Sequence, residues 1–90
     1  MLQISQHAQA RMQQRGIPKP VLETLLEYGH YHHDGHGAEI VHFTGKAKGR
    51  LRKILDRKAF VDMENYFDVY AVIARGVLIT AGHRYRRILR

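Results

Sequence analysis

Tyr66-Phe-Asp-Val-Tyr-Ala-Val-Ile-Ala74 and Val77-Leu-Ile-Thr-Ala81, joined by Arg75-Gly76, are the runs whose reading decides the fold. Both are rich in β-branched and aromatic residues. Two such runs around a break containing Gly form the pattern of a β-hairpin. Val69, Ala71, Val72, Ile73 and Ala74 leave little polar alternation, which predicts strands covered on both faces in mid-sheet. Gly82-His83-Arg84-Tyr85-Arg86-Arg87 follows at once, so a strand end delivers a dense cationic and titratable tail to the surface. Rigid strand ends are good places to hold a site.

The same alternation of runs and breaks extends toward the N-terminus. His30-Tyr-His-His33, then Asp34-Gly35, then His36 to Phe43 predicts a second hairpin with a two-residue turn. With Asp34 and Gly35 central, His33 faces His36. His42 then shares a face with His36 and Ile40, while His30 and His32 take the other. Ser5 is the expected N-cap of a first helix over Gln6 to Gln14, closed by Gly16. Pro18 and Pro20 open a second helix, which runs to Tyr28 and ends at Gly29. Thr44-Gly45 caps a third segment, Lys46 to Lys58, in which Leu51, Ile54 and Leu55 are helically spaced and Gly49 weakens the first turn. Ala59 to Asn65 reads as a short edge strand or a loop. The order gives an α+β domain spanning residues 1–90: two N-terminal helices on an antiparallel sheet of about four strands, with a basic helical segment inserted mid-chain.

Composition limits the function classes. Ninety residues suffice for one modest core, and 44% apolar residues argue against disorder. No apolar run approaches the ~18 residues of a membrane span, and the first residues lack a signal-peptide pattern. With no cysteine there are no disulfides or thiolate metal sites, which fits a cytoplasmic protein. Fifteen Lys and Arg against eight Asp and Glu give a net charge of +7, which points to a polyanionic partner. Lys46, Lys48, Arg50, Arg52, Lys53, Arg57 and Lys58, offset only by Asp56, concentrate +6 of it in thirteen residues. Such a segment suits a phosphate backbone, extended by Arg86 and Arg87.

Two clusters of side chains could carry chemistry. His7, Arg11 and Arg15 recur at spacings of four on the first helix, and His83, Arg84, Tyr85 and Arg87 gather after the last strand. Arg11 and Arg15 fall beside the apolar stripe of Ile4, Ala8 and Met12, where cations snorkel or line a cleft. Metal-free RNA cleavage needs a base for the 2′-hydroxyl, an acid for the leaving oxygen, and cations on the phosphate. Histidine and arginine supply these functions. The second cluster is His30, His32, His33 and His36, with His42 nearby and Glu39 expected across from His30. These are weak metal candidates without a fixed third ligand, so no cofactor is expected.

The segment His7-Ala8, Arg11-Met12, Arg15-Gly16-Ile17, followed by a helix ending at Gly29 and a closing Ile79-Thr80 strand, resembles the small bacterial domain-of-unknown-function family 4258. That family is similar in turn to the barnase, EndoU, colicin and RelE-like ribonucleases, in which helices precede a curved antiparallel sheet. The connection from Lys46 to Asn65 is longer here than is usual for the family. The resemblance implies a toxin-like, metal-independent endoribonuclease, often neutralised by a cognate partner such as an acidic antitoxin. His7, Arg11 and Arg15 lie within the matching motif. His83, Arg84 and Tyr85 are added from charge and position. The competing expectations are a non-catalytic nucleic-acid- or ribosome-binding module and a basic module for an acidic protein partner.

Overall fold

A computed structural model describes residues 2–84. The chain is an α+β fold: β1 (Gln3–Ile4), α1 (Gln6–Gln14), α2 (Lys19–Tyr28), β2 (His30–His33), β3 (Glu39–His42), α3 (Gly45–Ile54), α4 (Arg57–Glu64), β4 (Val69–Ala74) and β5 (Val77–His83). The strands form one sheet in the order β1-β5-β4-β3-β2.

The β4–β5 hairpin is central, as its composition predicts. Its two-residue turn places Arg75 at φ 54° and Gly76 at φ 75°, the left-handed pair that matches strand twist. Val72 pairs with Thr80 and Ile73 with Leu78, so Ile79 is an extra residue that bulges out, 39% exposed. The two-residue β1 pairs parallel to β5, Gln3 opposite Val77 and Ile4 opposite Leu78. The sheet is therefore mixed and five-stranded, not antiparallel with about four strands. A pair this short carries no periodic signal to read.

Alternation along the strands assigns the two faces. Val41, Val69, Ala71, Leu78 and Ala81 are fully buried on one of them, against Ala8 and Met12 of α1, Val21, Leu22 and Leu25 of α2, and Ala47 and Leu51 of α3. The opposite face carries His30, His32, Ile40, His42, Tyr70, Val72 and Thr80, every one at least partly exposed. The expectation that the central strands are covered on both faces is thus corrected: among the described residues, helices cover one side only.

Local chemistry explains the helix ends. Ser5 Oγ accepts from the Ala8 amide at 3.0 Å, and Gly16 at φ 63° closes α1. Thr44 Oγ1 caps α3 in the same way through Ala47. The single helix expected over Lys46 to Lys58 is instead two. Leu55 turns extended at ψ 146°, and Asp56 Oδ1 accepts from the Ala59 amide at 2.7 Å to start α4. Ala59 to Asn65, read as strand or loop, is mostly helix. Phe60 and Met63, one turn apart, rest on the core, although α4 buries no residue fully.

The β2–β3 turn differs from expectation. His33 pairs with Glu39, not His36, so the loop runs from Asp34 to Ala38. Asp34 Oδ1 accepts from the amides of His36 (2.6 Å) and Ala38 (3.1 Å), an Asx-type turn that competes with the tight Asp-Gly turn. Those two amide donors hold the Asp34 carboxyl below its ordinary pKa. The register is displaced by three residues from the expected one. An odd displacement exchanges the faces. His42 therefore joins His30 and His32, and Glu39 stands opposite His33 rather than near His30.

Two glycines should respond to alanine with opposite signs. At Gly29 an added Cβ would lie 2.5 Å from Leu25 O and 2.7 Å from Val41 Cγ1, so Gly29→Ala should destabilise by about 1–3 kcal/mol. At Gly49, inside α3 and with nothing within 4 Å, alanine should stabilise by about 0.5–1 kcal/mol. Urea unfolding of the two variants checks both signs.

Candidate functional site

The open sheet face collects titratable side chains in a row. His30 stands opposite His42, His42 opposite Tyr70, and Tyr70 opposite Gly82. Directly opposed residues share a face, so one line of side chains crosses β2, β3, β4 and β5. His32 joins it from two positions along β2. The ring centres of His42 lie 5.2 Å from His32 and 5.7 Å from His30, which are themselves 6.0 Å apart. His42 is held below the usual imidazole pKa, first by burial and then by the charges of Arg84, His32 and His30. Its neutral form is therefore favoured.

Arg15 closes the other end of the row. Its Nη1 donates to Ala81 O at 2.9 Å. An added Cβ at Gly82 would lie 2.5 Å from that nitrogen and 3.2 Å from Tyr70 Oη. Only a residue without a side chain lets the guanidinium and the phenol approach there. Of the two expectations for a cation beside the apolar stripe, Arg15 follows the snorkelling one.

His83 has a different function. Its Nδ1 lies 2.9 Å from Asp68 Oδ1 and its Nε2 lies 3.0 Å from Arg15 O. Both partners are acceptors, so satisfying both requires the doubly protonated ring. Burial lowers its pKa, but the hydrogen bonds to Asp68 and Arg15 O, with the Asp68 charge, outweigh burial and the Arg15 charge, and the net shift is upward. With both nitrogens engaged, His83 is a clamp that ties the end of α1 to β5 and the start of β4. It offers no free nitrogen to a substrate.

The cations of α3 and α4 form a separate group. Lys46, Lys48, Arg50, Arg52, Lys53, Arg57 and Lys58 are all exposed, and among the described residues none pairs with a carboxylate. Three lie over aromatic rings: Lys48 over Phe67 at 5.6 Å, Arg50 over Tyr28 at 5.5 Å and Arg52 over Phe60 at 5.0 Å. Lys48 and Arg84 also line a cleft of about 490 Å³ with Phe43, Phe67, Glu64, Asn65 and Asp68.

The structure therefore unites only part of the expected catalytic set. Arg15 and Arg84 come to the row, and His83 supports it from behind. His7 and Arg11 pair with each other at 3.4 Å. His7 sits two turns before Arg15, about 12 Å along the helix axis, and joins no other member of the set. Tyr85, Arg86 and Arg87 lie outside the described residues. Of the metal candidates, His30 and His32 are in the row, His33 is on the other face and His36 is in the loop. As the side chains stand, no three such groups among the described residues could hold a metal ion. Reading the sequence grouped His42 with the histidine cluster but put it on the opposite face from His30 and His32, and it missed Tyr70. Alternation within 39–42 and 69–74 would have placed them together once the register was known.

Compared with family models, with curated proteins and with solved structures, the chain matches none. Among the described residues, no helix is long and apolar enough to cross a membrane.

The His83 clamp has a defined pH dependence. Its folded pKa is raised, so its stabilisation is complete below the ordinary imidazole value near 6.5 and is lost as pH rises through the folded value. His83→Gln should cost on the order of 1 kcal/mol at about pH 5.5, discounted because Asp68 is 45% exposed. The gap should narrow toward pH 8. Comparing the two chains cancels the opposite contribution of His42. Denaturation across pH reads the gap, and a gap that widens with pH contradicts the clamp.

Proposed function

We propose that this protein is a toxin-like endoribonuclease that cuts RNA without a metal, on the open face of its sheet. The observation that carries the reading is the row His30–His42–Tyr70, with His32 beside it and Arg15 and Arg84 flanking it. These are the residue types that 2′-hydroxyl attack requires, gathered where none of the described helices covers them. The motif around His7, Arg11 and Arg15 and its resemblance to ribonuclease-like domains support the same class, with Arg15 as the shared residue.

In this mechanism neutral His42 takes the proton of the 2′-hydroxyl. The 2′-oxygen bonds to phosphorus as the bond from phosphorus to the 5′-oxygen breaks. The leaving oxygen receives a proton from His30 or His32 in its protonated form, which leaves a 2′,3′-cyclic phosphate and a free 5′-hydroxyl. Arg15 and Arg84 neutralise the charge that builds on the phosphate oxygens. Tyr70 donates a hydrogen bond to the same group. The cations of α3 and α4 hold the flanking strand. Such an enzyme works where RNA is, in the cytoplasm, and an acidic antitoxin-like protein would inhibit it by covering these cations.

A second reading keeps the RNA and drops the reaction. It is favoured by Lys48, Arg50 and Arg52, which are oriented by aromatic rings and present a binding surface whatever the row does. Cleavage that persists in EDTA, leaves cyclic phosphate ends and falls about 10²–10⁴-fold in His42→Ala supports the enzyme. Intact RNA bound by the folded protein supports the binding module. In either case Lys48→Ala with Arg52→Ala should weaken binding and reduce the slope of log affinity against log salt by about 2.

A further inference from the structure

We propose that the outer face of α4 is a self-association surface, on which a second copy of this chain docks its own α4 antiparallel about a two-fold axis beside Val61. The proposal goes beyond the RNA reading and does not depend on it, because it concerns a helix that takes no part in the histidine row.

The face is apolar at its centre and charged at its ends. α4 turns Phe60 and Met63 toward the core. Arg57, Lys58, Val61 and Glu64 are exposed, and Val61 keeps 51% of its surface in water. An open groove of about 410 Å³ runs beside it, lined by Arg52, Leu55, Arg57, Phe60, Val61 and Glu64. Among the described residues, neither Arg57 nor Glu64 has an ion-pair partner within the chain. An exposed valine alone signifies nothing. The order of charges around it sets this one apart.

At ~100° per residue, Arg57 and Glu64 lie on one side of Val61, and Lys58 and Asn65 on the other. Along the axis Arg57 lies about 6 Å before Val61 and Glu64 about 4.5 Å after it. A two-fold axis perpendicular to the helix pair reverses the direction and keeps each side against the same side of the partner. Arg57 then meets the partner's Glu64 with an axial offset of about 1.5 Å, and the second such pair forms by symmetry. On the other side Lys58 meets the partner's Asn65. Val61 meets the partner's Val61 at the centre, so apolar burial and charge pairing agree on one register. A parallel pair would set like charges against each other. A polyanion fits this face less well, because Asp62 and Glu64 give the end of the helix negative charge.

The contact is small. Eight residues of helix span only about 12 Å, too little to bury the ~800 Å² per partner of a stable interface. The dimer is therefore weak, with a dissociation constant on the order of 10⁻⁴ M. On the RNA reading, it engages Arg57 and leaves the cations of α3 to the nucleic acid.

Sedimentation velocity of the nucleic-acid-free full chain, from about 10 µM to about 1 mM, tests the surface. The expected result is a monomer–dimer equilibrium with no larger species, as a closed two-fold contact requires. Arg57→Glu and Glu64→Arg should each weaken association tenfold or more. The double variant should restore it to within about threefold of the starting value. Both changes suit the helix, since acidic residues favour its first turn and basic ones its last. Arg57→Glu also lowers the net charge by two, so association governed by overall charge would strengthen instead. Val61→Glu should abolish the dimer, with circular dichroism confirming the fold of each variant. The proposal is overturned by a monomer at about 1 mM, which would leave the face to a different protein, by open-ended polymers, or by a double variant that fails to recover. RNA cleavage and binding are separate readouts, so failure of the dimer and failure of the RNA reading are distinguishable.

Discussion

The register of four antiparallel strands is the constraint on which the rest of this structure depends. It sets His30 against His42, His42 against Tyr70 and Tyr70 against Gly82. A displacement of one residue on any strand would send its side chains into the core. The buried alternates Val41, Val69, Ala71 and Ala81 fix the register thermodynamically, because slipping the ladder would expose them and bury imidazole in their place. The hydrophobic core and the polar row are thus two faces of one arrangement. Neither can be altered without the other.

Around that sheet the chain uses its charges in two ways. Arg15 and His83 are held by protein partners and build the end of the sheet, with Gly82 leaving space for the guanidinium. The cations of α3 and α4 have no carboxylate partners among the described residues and face solvent, three of them resting on aromatic rings. The first group has structural work. The second has no carboxylate to neutralise it among the described residues, which makes it available to a polyanion.

Much of this was legible in the amino-acid sequence, for identifiable reasons. Ser5, Gly16, Thr44 and Arg75-Gly76 act through local backbone chemistry, and each marks the boundary it predicts. What escaped detection depends on tertiary context. The two residues of β1 have no periodicity, and α4 is set by an aspartate cap and by Phe60 and Met63 docking on a core formed elsewhere. Asp34-Gly35 promised a tight turn, but the Asp34 side chain bonds the amides of His36 and Ala38 and extends the loop. That local contest moved His42 onto the face of His30 and His32. The face of His42 was misread because the turn was. His83 was identified as important from its position, but its two acceptor partners, which make it a clamp, come from Asp68 and from α1, far away in sequence.

The central claim is that RNA lies across the open face of the sheet, with its phosphate between the histidine row and Arg15. Nuclear magnetic resonance mapping with a short RNA carrying a single 2′-deoxy nucleotide, which binds but cannot be cut there, tests it directly. The account predicts the largest shifts at the imidazole signals of His30, His32 and His42 and at Tyr70, with smaller ones along α3. Shifts confined to α3 and α4, with the histidine row unmoved, would contradict it.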